Sequence, residues 1–78
     1  MLISASAGFA QSSLLESVKR NPAEAQALCE SFKAMNNNGQ SALSSEAINQ
    51  LARERNLSAT NAEILATYVI GLHCSDVR

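Results

Sequence analysis

The chain has 78 residues, enough for one compact domain, and its 46% apolar content lies in the range of globular proteins. Only 4% of the residues are aromatic, so the core must be built from aliphatic side chains, which favours helices over a β-sandwich. The net charge of -1 provides no general attraction to phosphate backbones or anionic lipid. No apolar run reaches the roughly 18 residues that a membrane span needs. These features predict a single all-α domain over residues 1–78, a compact bundle of four short helices.

The first two predicted helices meet at the dipeptide Asn21-Pro22. Apolar residues at helical spacing predict a helix over about residues 9–19, and residues 1–8 are expected to fray. Pro22 suits the first position of the second helix, residues 22–35, and Asn21 is expected to cap it. The run of Asn residues that ends in Gly39 tolerates left-handed backbone and is predicted to end that helix.

The third and fourth helices are predicted over residues 44–55 and 61–74. Ser41 or Ser44 is expected to cap the third helix and Asn56 to close it. The stretch from Thr60 to Glu63 has a capping-box pattern and is expected to open the fourth helix. The apolar residues of the fourth helix cover most of its circumference, so no side of it is clearly polar.

A helix that is apolar on all sides either occupies the centre of a core or buries a second face against a partner. We expect the fourth helix to lie at the centre, with part of its surface covered by another protein, most simply a second copy of the chain. The alternative is that the other helices cover it completely. The predicted protein interface consists of Ile64, Tyr68, Ile70 and Leu72, with Tyr68 as the anchor because its aromatic ring carries one polar end. The sequence therefore favours a non-enzymatic protein-binding module, such as a small regulator, adaptor or assembly factor, that acts as a homodimer.

The less favoured alternative is a helix-turn-helix regulator that binds nucleic acid. The third and fourth helices with their short connection fit this motif, and Arg53 and Arg55 are its candidate phosphate contacts. However, residues 59–74 contain no Lys or Arg, so the fourth helix lacks side chains that commonly read bases. Nucleic-acid binding is therefore disfavoured.

No residue pattern predicts catalysis, a metal or a cofactor. Cys29, His73 and Cys74 supply at most three soft ligands, whereas structural zinc takes four. Side chains of neighbouring helical residues point about 100° apart, so His73 and Cys74 make a poor nucleophile pair. The turn after the second helix loosely resembles an EF-hand loop, but it contains no Asp to bind calcium. We expect no catalytic residue, no metal site, no cofactor and no small-molecule substrate.

The cysteine content favours a reducing environment. The chain has two cysteines, far apart and in no paired spacing, whereas small secreted domains usually carry several disulfides. We therefore expect a cytoplasmic protein in which Cys29 is packed as a thiol and Cys74 lies at a fraying helix end. Gly8 and Ala10 are small residues typical of a signal-peptide cleavage site, but residues 1–10 lack a basic flank and a long apolar stretch. Processing of these ten residues stays open.

Overall fold

The computed structural model describes residues 13–78 of the chain. Residues 13–20 are helical (α1), and three further helices follow: α2 at Pro22–Asn37, α3 at Ser45–Arg55 and α4 at Ala59–His73. No strand occurs among these described residues, so the predicted all-α fold with four helices is confirmed. The expected helix start at residue 9 and the expected fraying of residues 1–8 lie outside the described part. Across residues 13–78, none of the helices combines the length and apolar character needed to cross a membrane.

The core lies where α4 packs against both α2 and α3. Each of these helices buries residues spaced three or four positions apart, the repeat that keeps side chains on one side of a helix. Small residues allow a close approach: Ala62 and Ala66 of α4 are completely buried. The larger buried side chains of these helices are Leu28, Phe32, Ile48, Leu51, Leu65 and Val69.

Two helices end with left-handed residues, as the sequence predicts. Gly39 follows α2 with φ +79°, and the N–H of Gln40 donates to the Met35 carbonyl oxygen at 2.8 Å. Asn56 follows α3 with φ 57°, and the N–H of Leu57 donates to the Ala52 carbonyl oxygen at 2.8 Å. Both arrangements are Schellman motifs, in which the chain satisfies carbonyl groups that the helix leaves without a partner.

Of the N-caps predicted for α2 and α3, the one on α3 is confirmed and the one on α2 is not. At α3 the Ser44 hydroxyl accepts a hydrogen bond from the Ala47 N–H at 3.2 Å, which confirms Ser44 as the N-cap. Asn21 forms no side-chain cap on α2, so that expectation is wrong. Its Nδ2 donates instead to the Ser17 carbonyl oxygen at 3.2 Å, at the end of α1, because α1 and α2 are separated only by Asn21.

The predicted capping box of α4 is also wrong. The Ser58 hydroxyl caps this helix by accepting a hydrogen bond from the Asn61 N–H at 3.1 Å, and the helix begins at Ala59. The left-handed backbone of Asn56 ends α3, and only Leu57 separates Asn56 from Ser58. Ser58 has the extended backbone of an N-cap, with φ -68° and ψ 161°. Thr60 consequently lies inside the first turn of α4 and does not cap it.

The segment after α4 returns to the turn between α2 and α3. Cys74 and Val77 are buried in the core, and the N–H of Ala42 donates to the Arg78 carbonyl oxygen at 2.8 Å. The chain beyond α4 is therefore a packed part of the domain.

Candidate functional site

Three of the four predicted interface residues lie on one side of α4. Ile64, Tyr68 and Leu72 repeat every four residues, and we call them the α4 stripe. Ile64 and Tyr68 are half-buried, whereas Leu72 is 52% exposed. Ile70 is two positions from Tyr68, which corresponds to about 200° around a helix. It lies on another side of α4, and both Ile70 and Tyr68 pack against the core.

A polar side separates Ile70 from the α4 stripe. Thr60, Glu63 and Thr67 are exposed there, and the Thr67 hydroxyl donates to the Glu63 carbonyl oxygen at 2.8 Å. The helix as a whole is nevertheless mostly apolar, as its sequence predicts. The apolar residues of α4 lie on the side of the helix that faces the core and on the two edges of that side. The Thr and Glu side chains occupy the narrow strip that remains.

The surface next to the α4 stripe is a shallow depression. Its walls are Glu63, Ile64, Thr67 and Tyr68, so apolar groups and a carboxylate border the same space. Leu72 continues the apolar edge towards the end of α4. Among the described residues the other exposed large apolar side chain is Leu43, which is 43% exposed and lies in the turn before α3.

The two arginines proposed for nucleic-acid binding have different surroundings. Arg53 is exposed on α3. Arg55 is half-buried and forms an ion pair with Glu24 of α2. Because a carboxylate already neutralises much of the Arg55 charge, Arg53 is the more accessible of the two for a phosphate.

Cys29 and Cys74 form a disulfide, so the expectation of two unpaired cysteines is wrong. Cys29 lies on the buried side of α2, and Cys74 directly follows α4. The packing of α4 against α2 brings their Cα atoms within 6.0 Å, although 45 positions separate them in sequence. Each cysteine is only 4% exposed, so Cys74 does not lie at a fraying end. The even number of cysteines is the one sequence signal that pointed to this bond.

The disulfide also determines what chemistry these residues offer. Neither sulfur is a thiolate ligand or nucleophile while the bond is intact. His73 is exposed beside Cys74. Within residues 13–78 no group of three or more His, Cys, Asp or Glu side chains is placed to hold a metal ion.

A comparison with known protein families matched the helical region of the chain. A family model described as a domain of unknown function (DUF8664) matches residues 15–74, which is more than half of the chain. The chain belongs to this family. The matched region of this DUF8664 member contains all of α2, α3 and α4, both cysteines and the α4 stripe. Residues 75–78, including the buried Val77, lie beyond it. No curated protein and no solved structure gave a significant match.

Proposed function

We propose that this chain is a non-enzymatic protein-binding module whose contact surface is the α4 stripe. The observation that carries this proposal is the row of Ile64, Tyr68 and Leu72 along one side of α4, in which Leu72 is 52% exposed and the other two are half-buried. Apolar side chains that stay partly exposed in a row on one helix are typical of a surface through which a helix contacts another protein. The aromatic ring of Tyr68 at the middle of the row is the anchor, since Tyr combines a large contact area with one polar end.

The partner in this proposal is a second copy of the chain. Ile64 and Leu72 are equally far from Tyr68 along α4, so an antiparallel pair of α4 helices with its two-fold axis at Tyr68 sets Ile64 of one copy against Leu72 of the other. The two Tyr68 rings then meet at the axis. The α4 stripe contains no charged residue, so the pairing brings no like charges face to face.

The oligomeric state tests this proposal. Light scattering over about a hundredfold dilution, together with thermal melts at the same concentrations, should show a dimer whose melting midpoint rises with concentration. Leu72→Glu places a charge on the α4 stripe and should weaken dimerisation about tenfold or more. Ala27→Glu places the same charge at an exposed site of α2, away from the α4 stripe and its depression, and should leave dimerisation unchanged. A protein that stays monomeric up to about 1 mM, or a Leu72→Glu variant that dimerises like the original chain, contradicts the proposal.

The disulfide supports an oxidising compartment for this module in place of the cytoplasm expected from the sequence. Disulfides persist in secreted, periplasmic and similar settings and are rare where glutathione and thioredoxin keep thiols reduced. Alkylation of free thiols during isolation from the native cells, followed by mass spectrometry, tests this location. Recovery of Cys29 and Cys74 in alkylated form contradicts it, and this result does not bear on the dimer proposal.

A further inference from the structure

A cavity of about 200 Å³ lies where α1, α2 and α4 meet, away from the α4 stripe. Its floor is apolar and buried, and consists of Val18, Leu28, Leu65 and Val69. Its rim is polar and includes the ion pair between Glu24 and Arg55. The cavity therefore has an apolar interior and a charged pair at its mouth.

A molecule that occupies this space would add contacts to the apolar side chains of the floor. Side chains that line an empty space lose dispersion contacts on one side, and the loss grows with the cavity volume. Water at the rim can bond to Glu24 and Arg55, whereas the aliphatic floor offers a water molecule no hydrogen-bond partner. A molecule whose apolar part reaches the floor restores these contacts. The volume here is large enough for a substituted ring or a short branched chain, since enclosed cavities of about 150 Å³ hold benzene.

The ion pair at the rim indicates which polar group a bound molecule can carry. The Arg55 guanidinium and the Glu24 carboxylate neutralise each other, so the mouth has hydrogen-bond donors and acceptors but little net charge. A carboxylate in this position would compete with Glu24, and an amine would compete with Arg55. A neutral hydroxyl or amide can donate to the carboxylate or accept from the guanidinium without breaking the pair.

We propose that this cavity binds a small neutral molecule that is mostly apolar and carries one hydrogen-bonding group, of about the size of an alkylphenol. The apolar part occupies the floor beside Leu28 and Val69, and the polar group lies at the rim beside Glu24 and Arg55. This site is independent of the α4 stripe, because the two surfaces share no residue.

A titration with 4-ethylphenol, followed by two-dimensional NMR of the full chain, tests the proposal. We expect saturable binding with chemical-shift changes centred on Val18, Leu28 and Val69. The matched anion 4-ethylbenzoate, which carries a charge in place of the hydroxyl, should bind about tenfold more weakly or worse. Absence of saturable binding by 4-ethylphenol, or equal affinity for the anion, overturns the assignment.

Variants that fill the cavity show whether binding occurs there. Ala25 lines the cavity and is buried, so Ala25→Leu should lower the affinity for 4-ethylphenol at least about tenfold. Ser17 lines it from an exposed position, so Ser17→Leu provides the same test if Ala25→Leu does not fold. The control Ala27→Leu adds the same side chain at an exposed site of α2 outside the lining and should bind like the original chain. Unchanged affinity in a folded cavity-filling variant overturns the proposal.

Discussion

The side-chain amide of Asn36 is joined to the backbone of Arg78 by two hydrogen bonds. The Arg78 N–H donates to Asn36 Oδ1 at 2.7 Å, and Asn36 Nδ2 donates to the Arg78 carbonyl oxygen at 2.8 Å. The same Nδ2 also donates to the Gln40 carbonyl oxygen at 3.0 Å. One side chain thus connects the last turn of α2 with a segment 42 positions further along the chain.

Asn36→Ala should lower the free energy of unfolding by about 0.5–1.5 kcal/mol, because it removes both bonds to Arg78, whose exposed backbone groups can then bond to water. The exposed neighbour Asn37 provides the control: Asn37→Ala should change the value by less than about 0.5 kcal/mol. Urea denaturation of the three proteins measures the difference. Equal stability of the two variants would show that the Asn36 contact contributes nothing.

Reduction of the disulfide should destabilise the domain strongly. Cys29 and Cys74 are 45 positions apart, and closing a loop of this length removes enough entropy from the unfolded chain to contribute about 4 kcal/mol. Thermal melts with and without a reductant should therefore show a lower midpoint for the reduced protein. In a variant with both Cys29→Ala and Cys74→Ala the reductant should have no effect. Identical melts of the original chain in both conditions contradict the prediction.

The start of α4 can be tested by comparing two hydroxyl side chains. Ser58→Ala removes the hydroxyl that accepts from the Asn61 N–H and should cost about 1 kcal/mol of unfolding free energy. Thr60→Ala, inside the first turn, should change it by less than about 0.5 kcal/mol. Chemical denaturation under one set of conditions compares them. A larger loss of unfolding free energy for Thr60→Ala than for Ser58→Ala would contradict the Ser58 cap and support the capping box predicted from the sequence.

The left-handed backbone of Asn56 makes a further prediction about α3. At φ 57° a residue with a β-carbon is strained unless its side chain is Asn or Asp, so Asn56→Ala should cost about 1 kcal/mol. Glycine adopts this backbone freely, so Asn56→Gly should retain or slightly raise the stability. Thermal unfolding of both variants provides the comparison. A more stable Ala variant than Gly variant is incompatible with the left-handed cap.

Local features of the sequence predicted much of the fold. Pro22 begins α2 and Ser44 caps α3, because each acts on backbone groups within a few residues of itself. Gly39 and Asn56 end helices for the same local reason. The capping prediction failed at Thr60 because two hydroxyl residues compete for one helix start, and the sharp end of α3 favours Ser58.

The candidate interface was predictable only in part. The four-residue spacing of Ile64, Tyr68 and Leu72 is visible in the sequence, but their exposure depends on which side of α4 the other helices cover. Ile70 has the same apolar character as Ile64 yet packs against the core. Composition cannot distinguish these two residues, because both are aliphatic positions on one apolar helix.

The sequence by itself determined the all-α class and most helix ends, since these depend on apolar spacing and on side chains that bond to nearby backbone. The tertiary structure alone decided the pairing of Cys29 with Cys74, the ion pair of Arg55 with Glu24 and the contact of Asn36 with Arg78. Each of these joins residues far apart along the chain. Such pairs meet only after the helices have packed, and the packing depends on the combined shape of many side chains and not on any local pattern.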